Sequence, residues 1–530
     1  MKRILLIILI LGSALASAHA QYFFNKRETL HSFYSVLTSV ILQNNKYYST
    51  GICWDSSNYI GNGLAYNKIG VRFTVFDQTG NLLRDTFFQK DGKNITAAFG
   101  KITYETDSTF LLAADEVDTF ANHYLVIFRF DTSGRMRWER EYTKPVCTGI
   151  ANDFWRLVDF KPTGYKEWLM LSTIKCNPTG NSHHDFFLMK LDSNFNIIWQ
   201  QQYGDGLLND IAARVLVEPD GYLLAGGRNN DNITNVGYSY RAELIKTDTS
   251  GAVKWSWLSD PTKLTGPIQD IVRTYDSGYV FCGTGNGWEY SNGVNGEVFF
   301  KGWVQKLDKY RNVIWEKSFN DKYDPTQFVK IIQQSNGNFQ LFGTKNTNFV
   351  YDSLHYEIHS RGWFVTIDSN GDSLKERTYS YLSSCSDLNK FYDIKQTIDG
   401  GFIMVGESTD NCGSTQTAPT QRGWIVKVDS NGCLGNNDPQ CWKVGINEVQ
   451  QAVPEFFLYP NPAQDILLVK TSLQSSNMVL TLSDLTGKTL LQQPVTNSTV
   501  ISISNFSPGL YIYRLSIDGV PRHTGKLLKQ

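Results

Sequence analysis

"RGWFVTIDSNG" spans residues 361–371, and sixty-one residues later the chain writes "RGWIVKVDSNG" at 422–432. The copy keeps an Arg-Gly-Trp start, an alternating apolar run and an Asp-Ser-Asn-Gly end. Short alternating runs closed by Asp, Asn and Gly are what half-buried antiparallel strands and their turns require. Working outward, the terminal Asp becomes one member of a column: Asp77, Asp131, Asp192, Asp248, Asp308, Asp368 and Asp429, at separations of 54, 61, 56, 60, 60 and 61. A second column pairs an aromatic with a small residue four positions on: Tyr47/Gly51, Phe110/Ala114, Trp168/Ser172, Tyr222/Gly226, Tyr279/Gly283, Phe339/Gly343 and Phe402/Gly406. A fixed period of this length fixes the architecture before any single motif does.

Each period reads as four strands, A to D: "QDIVRTYD", "YVFCG", "GWVQKLD" and "NVIWEKSF" in one of them. Seven such units predict an all-β fold, a seven-bladed β-propeller over residues 21–434. The last unit lacks a strand D, and "YFFNK" from Tyr22 stands at the right distance to supply it, closing the ring and removing an open edge. The D-to-A and B-to-C loops share one face and are the long ones, for example "GTGNGWEYSNGVNGEVFFKG", which carries Trp288, and "GTKNTNFVYDSLHYEIHSRG". A ligand site is expected there.

Composition sets bounds. Lys plus Arg number 50 against 51 Asp plus Glu, so no net field points to nucleic acid as a partner. Residues 1–20 carry Lys2 and Arg3, an apolar run from Ile4 to Leu11 and Ala18-His19-Ala20, the pattern of a cleaved secretory signal peptide. No later stretch is apolar enough to span a membrane, and no cysteine follows the cleavage site to take a lipid anchor. The eight cysteines then meet an oxidising compartment. The repeat pairs Cys147 with Cys176 and Cys385 with Cys412 across neighbouring loops. Cys433 and Cys441 clip the exit, Cys282 reads as a buried free thiol, and Cys53 stays open.

Residues 435–455 read as a linker. After them "FFLYPNPAQDILLVK", "MVLTLSDLTGKTLLQQ" and "TVISISNFSPGLYIYRLSID" form a fresh strand pattern, a small Ig-like β-sandwich over 456–530. Tyr459-Pro460-Asn461-Pro462, the turn ending in Gly487, Gly509 with Tyr511, and a last strand with Lys526 and Lys529 carry a resemblance. The segment resembles the type A C-terminal sorting domain of cargo of the type IX secretion system. That resemblance implies export through the periplasm and across the outer membrane, with the secretion machinery as partner and the product secreted or held at the cell surface.

Candidate chemistry is sparse. Arg241, Lys301, Arg361 and Arg422 each stand seven before an Asp of the column, and Trp303, Trp363 and Trp424 follow the last three. At the mouth of the B-to-C loop they could form a cationic and aromatic rim for a glycan; solvated, repeat-encoded positions are the plainer reading. Asp-to-Trp spacing of seven, as in Asp308 to Trp315, is too long for a sialidase Asp-box and resembles the tryptophan-docking repeat of quinoprotein propellers, one residue shorter. His355, Glu357 and His359, and His183-His184-Asp185, are short clusters that do not make a metal motif. No metal or cofactor is expected. The leading expectation is a binding or adhesion scaffold with a glycan or protein ligand; the alternative is a secreted hydrolase or lyase acting on polysaccharide or glycoprotein.

Overall fold

A computed structural model describes residues 22–28, 34–54, 69–145, 154–175, 183–229, 240–289, 297–319, 326–410, 421–441 and 456–530, less 165, 205–207, 263–264, 353–354, 383–386, 436–437, 439–440, 472–476 and 497. The signal-peptide reading and Cys147, Cys176, Cys385 and Cys412 lie outside the described residues. The fold is all-β among the described residues, and the chain divides into two compact units, Met1–Trp442 and Lys443–Gln530.

The first unit is a succession of four-stranded antiparallel sheets. Their first strands are Tyr34–Gln43, Lys93–Thr106, Phe154–Pro162, Asp210–Glu218, Ile268–Arg273, Thr326–Gln333 and Asp387–Gln396. Each first strand touches the next, and the last touches Tyr34–Gln43, so these innermost strands surround an axis in a propeller-like ring. The last two sheets are joined by a single parallel bridge, Ser360 to Leu388. Phe24–Arg27 pairs antiparallel with Arg422–Val428, Phe24 opposite Lys427 and Arg27 opposite Trp424, and supplies the outermost strand that the last repeat lacks.

Strand position in the sheet explains composition. The second strands are packed on both faces and read as near-continuous apolar runs, as in Trp168–Lys175. The outermost strands are open on one side and alternate, as in Leu82–Phe88. Both "long loops" of the fifth and sixth repeats are in large part strand: Tyr279–Glu289 pairs with Glu297–Leu307 out to Glu289, and Phe339–Asp352 pairs with His355–Ile367 out to Asp352. Alternating polar side chains hid those hairpin extensions in the sequence.

The eleven-residue copy is architecture. Asp368 Oδ1 accepts the amides of Asn370 and Asp372 at 2.8 and 2.9 Å; Asp429 Oδ1 accepts those of Asn431 and Cys433 at 2.8 Å each. Every Asp of the column makes this side-chain turn. Gly371 and Gly432 close it at φ of 83° and 79°, a region open to glycine. Trp363 and Trp424 are 2% and 0% exposed, stacked on Phe328 and Phe391 at 4.5 and 4.4 Å between ring centroids. The intervening Gly362 admits the Phe391 ring of the next sheet, which a Cβ would approach to 2.3 Å.

The small residue of the second column has its own cause. Every first strand is interrupted by a register shift, between Phe391 and Asp393 in the last. The bulge pushes backbone toward the second strand, so a Cβ on Gly406 would lie 1.8 Å from the Lys390 carbonyl.

The second unit sets a three-stranded sheet (Phe456–Tyr459, Ile466–Thr471, Ser498–Ser502) and a four-stranded sheet (Met478–Ser483, Thr489–Pro494, Gly509–Ile517, Val520–Lys529) on one core that includes Leu467, Val469, Leu480, Leu482, Leu515 and Leu527. Asn461 donates to the Lys526 carbonyl at 2.8 Å and accepts the Leu528 amide at 2.9 Å, tying the Pro-Asn-Pro turn to the last strand. Gly487 sits in an Asp484 turn, and Tyr511 donates to the Ser507 carbonyl. Pro460 and Pro462 follow cis peptide bonds.

Candidate functional site

The start of each first strand and the end of each second strand open on the long-loop face. Between the third, fourth and fifth sheets they leave a cavity of about 270 Å³. Phe154, Arg156 and Val158 line one wall, Ile211 to Arg214 another, and Pro267 to Gln269 a third; Thr173 and His184 complete it. Bulges at Val158, Ala213 and Gln269 turn these strands so that their walls face one space.

Polar groups in the cavity are fixed. Thr173 Oγ1 accepts the Ala212 amide at 3.0 Å. Arg214 donates from Nε to Asp270 at 2.9 Å and from Nη1 to the Ala213 carbonyl at 2.9 Å. His184 Nδ1 is 2.9 Å from Asn209 Oδ1, and its ring meets Phe154 edge-on at 4.8 Å. Arg156 is exposed, its guanidinium 5.3 Å from the Phe154 ring. No carboxylate lines the cavity among the described residues.

Positive charge gathers beside it. Burial, with Lys175 adding, brings Lys144 down to about 8. Burial also lowers His123, with Lys144 and Arg156 adding, and lowers His184, with Lys175 and His183 adding while Asn209 opposes. Both imidazoles are thereby held toward the neutral state next to cations.

The acids nearby are committed elsewhere. Asp210, fully buried, binds Arg228 at 2.8 Å, and Glu243 binds the same guanidinium at 3.1 Å. Asp185 takes the Gln202 amide at 2.6 Å. Away from the cavity, in the last sheet, the fully buried Asp387 holds His359 Nδ1 and Arg361 Nη1, each at 2.6 Å.

The predicted rim is therefore differently placed. Arg361 is tied to Asp387, and Arg241 donates to the Ser259 carbonyl at 2.7 Å. Lys301 is half-buried, and Arg422 is held below its usual range by burial and by Arg72. The tryptophans meant to complete the rim lie in the core, with Trp303 at 1% exposure. Trp288 stands in a strand opposite Val298, and its side chain is outside the described residues, as are those of His355 and Glu357. The four cations come from successive repeats, one to each set of four strands. Cys433 and Cys441 form a disulfide, Cys282 is a buried free thiol, and Cys53 is buried. No group of three or more metal-ligating side chains occurs among the described residues.

Sequence reading missed the cavity, whose walls come from residues over a hundred positions apart. It also missed a third column: Ser39, Lys101, Asp159, Arg214, Asp270, Lys330 and Asp393, each just past the bulge and eight or nine before the aromatic of the second column. The fixed spacing was the available signal.

Residues 457–530 match the family described as the secretion system C-terminal sorting domain. The sorting domain marks the chain for the type IX machinery and for export across the outer membrane, to the surface or beyond. No curated protein matches the chain. Among solved structures it is similar to a polysaccharide lyase, an ulvan lyase bound to a GlcA and Rha3S repeat (6% identity, 76% of this chain and 96% of that one, TM-score 0.45). It is also similar to the BP39L lectin from Burkholderia pseudomallei (8%, 76% and 98%, 0.41) and to the WD40 domain of SCAP from fission yeast (8%, 77% and 98%, 0.34). No helix among the described residues is long and apolar enough to cross a membrane.

Proposed function

We propose that this chain is an exported, surface-associated binding scaffold: a seven-bladed propeller over residues 21–434, closed by Phe24–Arg27, joined through 435–455 to an Ig-like sorting domain. Its ligand is an anionic glycan, carboxylated or sulfated, held on the long-loop face. The observation that carries the reading is the cavity walled by the third, fourth and fifth sheets, which offers Arg156, Arg214, Phe154 and His184 and no carboxylate among the described residues. An aromatic face beside a guanidinium suits a sugar ring bearing a charged substituent. Arg214, paired with Asp270, orients; the exposed Arg156 presents a guanidinium beside the Phe154 ring.

The test is a glycan-array screen of the mature protein and of Arg156→Ala, with chromatography of every bound glycan. Retention of unaltered acidic glycans, weakened at least tenfold in the variant, supports a scaffold. Shortened or unsaturated products would replace it with the enzyme reading, and preference for neutral glycans would remove the cavity from the account.

A further inference from the structure

The column past the bulges lines the axis with charges of alternating sign. From Lys101 round to Asp393 the order is Lys, Asp, Arg, Asp, Lys, Asp, and Ser39 separates the two ends, because an odd ring cannot alternate throughout. The acids brace neighbouring sheets. Asp393 Oδ2 accepts Ser39 Oγ at 3.2 Å and the Val40 amide at 3.0 Å; Asp159 Oδ2 accepts the Val215 amide, and Asp270 Oδ2 the Ile331 amide, at 3.0 Å each. Lys101 cannot accept an amide, and the equivalent amide of the next sheet, that of Phe160, turns to Asp159 Oδ1 at 3.1 Å instead.

Two residues further toward the short-turn face come Lys161 and Lys395, 3.5 Å from Asp159 and Asp393, while Lys330 lies 3.6 Å from Asp270. The equivalent positions on the other first strands are Ile41, Thr103, Leu216, Val272 and Ile332, so that layer contributes no acid. Five basic side chains then face three carboxylates that already serve backbone amides, an excess of basic groups around one axis.

We propose that this axial cluster binds a divalent oxoanion, sulfate or hydrogen phosphate, between Lys161, Lys330 and Lys395. Each of the three ammonium groups lies 3.5–3.6 Å from a carboxylate that also serves a backbone amide, which leaves the basic side chains in excess. Burial, with Lys330 and Lys161 adding against Asp393, holds Lys395 below its usual range, and burial with Arg214 and Lys330 brings Lys101 down to about 7. The side chains of Lys161 and Lys395 are 36% and 38% exposed, so a small anion can reach them. Arg214 belongs to both the cavity and the axial column, but Lys161, Lys330 and Lys395 do not line the cavity, so the two readings are tested by different side chains.

Equilibrium dialysis of the mature protein against radiolabelled sulfate, at fixed ionic strength in chloride, tests it. A saturable site is expected, weakened at least tenfold in Lys161→Met/Lys395→Met and unchanged in Lys317→Ala on an outer strand. Lys330→Gln, measured in parallel, gives the same loss should the double variant not fold. Competition by a sulfated oligosaccharide would assign the site to a group carried on a chain, and its failure to a free ion. No saturable site, or one undiminished in both lysine variants, overturns the proposal.

Discussion

The ring is closed by a short strand, and the ion pair at its end sets how firmly. Glu28, next after Phe24–Arg27, donates its amide to the Gly423 carbonyl at 2.9 Å, and its carboxylate bonds Arg72 of the first sheet, with side chains 2% and 3% exposed. Arg72 also holds Asp85 through two bonds, at 2.8 and 2.9 Å. Glu28 Oε1 has no partner among the described residues, and burial pushes the carboxyl up to about 7 although Arg72 opposes. Arg72→Met strands a buried carboxylate, a loss of about 3–5 kcal/mol. Glu28→Gln leaves Arg72 on Asp85 and should cost about 1–2 kcal/mol. At a factor of ten per roughly 1.4 kcal/mol, hydrogen exchange in peptides covering 22–28 should quicken roughly a hundred- to several-thousand-fold in Arg72→Met at pH 8. The pH dependence has a definite sign. An acid whose folded value lies above its unfolded one, about 4.3, contributes most below that value, and its contribution is lost as pH rises through about 7. The Arg72→Met defect should therefore shrink at pH 5, where Glu28 carries a proton. Less than tenfold faster exchange at pH 8, or a defect equal at both pH values, would refute this account of the closure.

Three further outcomes are expected. Phe391→Ala removes the ring stacked on Trp424 and should lower stability by about 3–5 kcal/mol in urea titration, whereas Arg241→Ala should stay within about 1 kcal/mol. Asp131, Asp220 and Asp276 are held down to about 2 by hydrogen bonds and by Arg137, Lys246, Lys254 and Lys306; stability from them is present above about pH 4 and is lost as pH falls through 2, followed by circular dichroism. Cys441→Ser opens an eight-residue loop and should cost about 2.5 kcal/mol at the exit turn, seen as faster proteolysis after residue 433 under oxidising conditions only.

What was legible in the sequence is what one strand and its turn decide locally. An aspartate that caps its own turn, a glycine at positive φ after it and an aromatic before a small residue each answer to neighbours within a few positions, so they recur at a period the eye can count. Depth within the sheet is a different matter. Arg361 and Trp363 point to the same side of one strand, two residues apart, and the side alone does not separate rim from core. The neighbouring sheet covers that side over Trp363, while Arg361 lies nearer the strand's long-loop end beside Asp387. The axial column failed to register for another reason. Its position is fixed by the bulge while its residue types alternate in sign, and a search for like residues at like spacing passes over Lys, Asp, Arg and Ser in one column. A ring around an axis constrains the sum of its charges more than the identity of any member, and that constraint is visible only once the first strands are brought side by side.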